Sequence, residues 1–161
     1  MSKAALKPPP AADLYERDFF AWPQVQAELL RAGRFDELDL RQLIDEVASG
    51  GGSEKREIER RLDILLAHLL KWKFHPGVTT SNWQATLREQ RIRIERILKS
   101  SPSLKHYPAE VFSECYLSAR LEAARETGID FTLFPEESPF TIEQTLDQTY
   151  FPKEPGLLDQ S

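Results

Sequence analysis

From Ile58 to Trp72 the apolar residues Ile58, Leu62, Leu65, Leu69 and Trp72 recur at alternating intervals of four and three, which lines one stripe of an α-helix. The segment SEKREIERRLDILLAHLLKWKF, from Ser53 to Phe74, therefore reads as one amphipathic helix. Ser53 is its expected cap, and Glu54 and Glu57 lie in its first turns, where the helix dipole favours acids. A second strong helix opens on Ser81 and Gln84 in capping-box spacing and carries Trp83, Leu87, Ile94, Ile97 and Leu98 on one side. A third starts near Pro108 and turns Phe112, Cys115, Tyr116, Ala119 and Ala123 inward before Gly128, its small alanines implying close packing.

Shorter elements flank these three. Asp13, with Glu16 three residues on, is expected to cap a helix whose face is Tyr15, Phe19, Trp22, Gln26 and Leu29/Leu30. Pro23 in its middle predicts either a kink or a restart with Pro23 in the first turn. Gly33 should stop it, and Asp39 should cap a helix from Leu40 to about Ala48. The run Gly50-Gly51-Gly52 then predicts a hinge or turn, because each glycine costs a helix about 1 kcal/mol relative to alanine. His75-Pro76-Gly77 and Ser101-Pro102-Ser103 read as stops, and Thr141 with Gln144 begins a last helix to about Gln148.

No segment sustains period-two alternation, so the expected fold is all-α, a single-domain bundle of about five to six helices over residues 13–150. Residues 1–12, with Pro8-Pro9-Pro10, read as a disordered arm and residues 151–161 as a flexible tail. A chain of 161 residues can bury a core without metal or disulfide staples. Its lone cysteine, Cys115, rules out an internal disulfide and a cysteine metal cluster and suits a reducing cytoplasm. With no apolar run of membrane-spanning length, the expectation is a cytoplasmic protein that does not enter a membrane. A net charge of −5 argues against wide nucleic-acid binding.

Chemistry concentrates on two flanks. His68 lies about 80° from the centre of the Ile58–Trp72 stripe, on the side of Arg61 and Glu57. On the following helix Gln90 falls inside the apolar stripe and Arg91 on its edge, so a polar network is expected, with a backbone end, the His68 flank or Asp45 and Glu46 as partners of Gln90. Glu57, Arg61, His68, Gln90 and Arg91 form the candidate polar site, whose plainer role is to fix helix register. Arg88, Arg96 and Lys99 form an exposed basic strip opposite Trp83, a candidate nucleic-acid contact or an ordinary solvated face. No phosphate loop, nucleophile elbow or Glu-x-x-His pairing is present, and no metal or cofactor is expected.

DLYERDFFAW, LRQLIDEVAS, HLLKW within the long helix, SNWQATLREQR, SPSLK and FPEESPFTIEQTL occur in this order, and in combination the chain resembles the bacterial domain-of-unknown-function family numbered twenty-nine. The resemblance implies a compact helical bundle and supplies a fold rather than an activity. His68, Lys71, Trp72, Trp83, Gln90 and Arg91 stand at the family's motif positions. The leading functional expectation is binding of a protein partner, or of a second copy, through an apolar or mixed groove. The alternatives are a hydrolase- or nuclease-like enzyme around Glu46, Glu57, His68, Gln90 and Arg91, and a nucleic-acid-associated protein using the basic strip.

Overall fold

The computed structural model describes residues 13–75 and 81–152. The expected arm, the Pro76-Gly77 stop and the tail beyond Pro152 lie outside them. Among the described residues there are six α-helices and no strand: α1 (Leu14–Arg17), α2 (Ala21–Arg31), α3 (Leu40–Phe74), α4 (Ser81–Ser100), α5 (Tyr107–Thr127) and α6 (Ile142–Leu146). Short 3₁₀ turns at Phe35–Glu37, Pro102–Leu104 and Phe131–Leu133 join them. The architecture is all-α, as the 3.6-residue pattern predicts. Contacts gather into two compact units, Met1–Gly52 and Ser53–Ser161.

Pro23 acts by restart rather than kink: α1 ends at Arg17 and α2 begins two residues before the proline, in whose first turn the missing amide costs no hydrogen bond. Asp13 is not the cap expected of it. Its carboxylate pairs with Arg17 at 2.9 Å and makes no capping bond. Asp18, in the turn before α2, accepts from the Ala21 amide at 3.0 Å, while Phe20 at the N-cap offers no side-chain bond. Gly33, at φ 69°, closes α2 in a Schellman turn, with the amides of Arg34 and Gly33 returning to the carbonyls of Leu29 and Leu30. Asp39 precedes α3, yet its buried carboxylate accepts from the Trp22 indole at 3.1 Å while its amide donates to Gln26 Oε1 at 2.9 Å.

The triple glycine does not break the chain. Helix α3 runs through it for 35 residues, and Ser53 is a helix-interior residue rather than a cap. Extending an existing helix through three glycines costs about 3 kcal/mol in propensity, whereas stopping and restarting also incurs a second nucleation.

In the C-terminal unit α3 is the central element. Beyond the expected stripe, Leu66, Ala67, Leu70 and Lys71 are also buried, so the helix is wrapped on most of its circumference. Helix α4 contributes Leu87 and Ile94, and α5 contributes Cys115, Tyr116, Ala119 and Ala123. The segment after α5 folds back over the core. Phe134 and Phe140 are buried, Phe134 meets Phe74 edge-on at 5.8 Å and Phe151 lies 5.5 Å from Trp72. Gly128, at φ 72°, makes that reversal, and Thr141 with Gln144 forms the complete capping box that starts α6. The last helix is shorter than expected, ending at Leu146, where Asp147 turns extended and receives the Thr149 amide.

Candidate functional site

The sequence-predicted polar residues separate into three groups. In the first, the Arg61 guanidinium spans α3 and α4. Its Nε and Nη2 donate to Glu57 Oε1 at 2.8 and 2.6 Å, and Nη1 donates to Gln90 Oε1 at 3.0 Å. Gln90 is therefore buried with a partner from the His68 flank, Arg61 rather than the imidazole itself; Glu46 receives the Tyr15 hydroxyl at 2.6 Å. The arginines Arg61 and Arg60 hold the Glu57 carboxyl below its usual range against the opposing effect of burial. An arginine with a carboxylate on one side and an amide on the other fixes the register of α4 along α3.

The second group surrounds His68. Its Nδ1 lies 2.8 Å from the Ile64 carbonyl, which assigns that nitrogen the proton in the neutral ring and leaves Nε2 as an acceptor. Burial lowers the imidazole below its ordinary value, the Ile64 carbonyl opposing. The ring meets Trp83 edge-on at 6.3 Å, and the ammonium of buried Lys71 sits 5.5 Å from the same indole. Lys71 also pairs with Glu126 of α5, whose carboxyl it holds below the usual range.

His68 borders a cleft of about 390 Å³ between α3 and α5, with Asp63 and Ala67 on one wall and Leu121, Glu122 and Glu126 on the other. Most of its acids are committed: Glu126 to Lys71, and Glu122 to Arg125 at 2.8 Å. Asp63 is not. Burial raises its carboxyl above the usual range, and its Oδ1 has no hydrogen-bond partner among the described residues. Burial and the neighbouring Asp63 push the Cys115 thiol far up, so it is an unreactive packing residue. Asp63 was missed in the sequence because one acid beside an apolar stripe looks like any solvated residue. Its position next to Leu62, four residues before Ala67, was the available signal.

Arg91, the third group, stands alone. It is 1% exposed; its Nε donates to the Thr145 carbonyl at 2.8 Å and Nη2 reaches the Gln144 carbonyl at 3.4 Å, closing the end of α6. The basic strip is exposed but partly occupied, Lys99 pairing with Glu95 at 3.0 Å and the Arg88 guanidinium lying 5.5 Å from the Phe151 ring.

An unexpected apolar surface belongs to the N-terminal unit. Phe19, Trp22, Pro23 and Leu30 of its first half face Leu43 and Val47 of α3 across a groove of about 350 Å³. Phe20 is 83% and Val47 78% exposed, and Phe35, Leu40 and Ile44 are exposed as well. Among the described residues of this unit, Trp22 and Leu29 are the only buried apolar side chains.

Among the described residues no three His, Cys, Asp or Glu side chains gather as a metal site, and no helix is long and apolar enough to cross a membrane. The model of the family described as Domain of unknown function DUF29 matches residues 14–151, and comparison with curated proteins and solved structures gave no match.

Proposed function

We propose that this chain, which belongs to the domain-of-unknown-function family DUF29, is a protein-interaction module whose N-terminal unit receives a basic amphipathic helix of a partner protein. The observation that carries this reading is the inverted apolar balance of that unit, where exposed large apolar side chains far outnumber the buried ones. Water-facing phenylalanine and valine on a small helical unit give a folded chain little, and cover by a further helix removes that surface from water at about 25 cal/mol per Å². An open apolar groove lined by residues of α2 and α3 matches the seat of an amphipathic helix, whose side chains at i, i+3, i+4 and i+7 fill such grooves.

Charge selects the occupant. Residues 13–52 carry nine carboxylates against four arginines, a balance of −5. A second copy would bring the same negative surface, whereas lysines and arginines flanking an apolar stripe would complement it.

The test places a photo-crosslinking amino acid at Val47 of the full chain in the cells it comes from and sequences the crosslinked segment. A basic amphipathic segment is expected. As a synthetic peptide it should bind the wild-type chain, bind at least ten-fold more weakly to Val47→Glu, and weaken with salt. Crosslinks confined to a second copy, or a peptide indifferent to Val47→Glu, refute the assignment.

A second reading, an enzyme centred on the α3–α5 cleft, is favoured by one observation. Neutral His68 and an Asp63 of raised pKa border the same cleft, the kind of pairing that divides base and acid roles. Its test is hydrolysis of ester and phosphodiester substrates by wild type, Asp63→Asn and His68→Gln. Activity lost in both folded variants supports it, and absence of activity in the wild type removes it.

A further inference from the structure

Helix α5 carries leucines on the face turned away from the core. Its residues Cys115, Tyr116, Ala119 and Ala123 are buried, whereas Leu117 and Leu121 are 51% and 50% exposed. At about 100° per residue, Glu110, Glu114, Leu117, Leu121 and Arg125 fall within an arc of about 80° centred opposite the buried face. A single exposed leucine is an ordinary surface residue. Two of them one turn apart, with acids toward one end of the helix and a base toward the other, make a stripe with a direction.

Read from Glu114 to Arg125 the stripe runs acid, leucine, leucine, base, an order that complements itself when reversed. With a two-fold axis at the level of Ala119, Leu117 of one copy meets Leu121 of the second. The helical rise then places Glu114 within about 1.5 Å, along the helix, of the second copy's Arg125. A parallel pairing sets Glu114 against Glu114 and gains nothing. Both charges are available: Glu110 and Glu114 have no ion-pair partner among the described residues, and Arg125 holds only the weak, exposed pair with Glu122 of its own helix at 2.8 Å. Leu121 also shares the lining of the α3–α5 cleft with Ile64 and Ala67, so the apolar surface continues beside the stripe. Unlike the acidic N-terminal unit, residues 53–161 are nearly balanced, with 17 carboxylates against 15 lysines and arginines, so two copies meeting there repel little.

We infer that the outer face of α5 docks a second copy of this chain in an antiparallel helix pair, with Leu117 and Leu121 crossing at the centre and a Glu114–Arg125 ion pair at each end. One helix pair lies at the low end of specific interfaces, so the association is a reversible dimer with a Kd on the order of 10 μM. The contact lies wholly within the C-terminal unit and is independent of the N-terminal groove.

The experiment is sedimentation equilibrium of the full chain from about 2 to 200 μM, a range that brackets the expected Kd. A monomer–dimer equilibrium is expected. Leu117→Glu changes an exposed side chain, so its helical circular dichroism should match wild type, and it should weaken the dimer about ten-fold or more by placing a charge at the centre. Arg125→Glu sets acid against acid at both ends and should weaken it about five-fold or more, while Glu114→Arg/Arg125→Glu restores both pairs with their signs exchanged and should return it to within about two-fold of wild type. Val47→Glu, in the N-terminal groove, should leave it unchanged. A chain that stays monomeric throughout, a dimer that survives Leu117→Glu, a charge exchange no better than Arg125→Glu alone, or a dimer lost in Val47→Glu would each overturn the inference.

Discussion

Replacing Gln90 by Leu and by Ala separates shape from hydrogen bonding at the α3–α4 contact. In wild type the Gln90 amide oxygen accepts one bond from Arg61, a charged donor, at 3.0 Å. Such bonds contribute about 1.5–3 kcal/mol. Losing it does not strand the guanidinium, since Arg61 keeps two short bonds to Glu57. The lower end of that range therefore applies, and the apolar carbon of leucine recovers about 0.8 kcal/mol per methylene equivalent. Gln90→Leu should cost about 1 kcal/mol.

Gln90→Ala loses the same bond and also leaves space beside buried Leu87 and Ile94 in a site only 5% exposed, so about 3 kcal/mol is expected. The assay is urea unfolding followed by far-ultraviolet circular dichroism at pH 7. With a slope of about 2 kcal/mol per molar, the two midpoints should differ by about 1 M. A leucine variant as unstable as the alanine variant would refute the argument and show that the Arg61 bond outweighs the filled volume.

Three further outcomes are expected. Gly50 lies in the helix interior of α3 and an added Cβ there meets nothing within 4 Å, so Gly50→Ala should stabilise by about 0.5–1 kcal/mol, read as a higher urea midpoint. Destabilisation would show that a break, not a helix, occupies the glycine run. Trp72→Ala should cost about 3–5 kcal/mol because the indole is 6% exposed against Phe151, and an unchanged midpoint would place that ring outside the core. The folded-state pKa of His68 is depressed, so its contribution is intact above the unfolded value of about 6.5 and lost as pH falls below it, when only the unfolded chain takes the proton. His68→Gln should therefore flatten the fall in melting temperature between about pH 6.5 and 5, and an unaltered slope would assign that fall to other groups.

Local spacing was enough to place most of the helices. The Ile58–Trp72 stripe, the Thr141–Gln144 capping box, the glycine stops at Gly33 and Gly128 and the burial of Gln90 follow from side-chain periodicity and from backbone chemistry confined to a few residues. The same local reasoning erred where two local signals competed. Asp13, the expected cap, makes no capping bond, and with the helix restarting before Pro23 it is Asp18, in the turn between α1 and α2, that accepts from the Ala21 amide. At Gly50 to Gly52 propensity predicted a break, but cooperativity along 35 residues prevailed.

Partnership was decided only in three dimensions. A helical wheel shows that Gln90 is turned inward, yet it cannot show that Arg61, 29 residues earlier, is what it meets. Nor can it show that Lys71 finds Glu126 or that Arg91 spends its donors on the end of α6, because these pairs depend on how helices far apart in sequence are aligned. The exposed groove of the N-terminal unit is a product of tertiary structure for the same reason. Phe19 and Leu30 belong to the face expected to turn inward, and only the count of helices available to cover that face leaves them facing water.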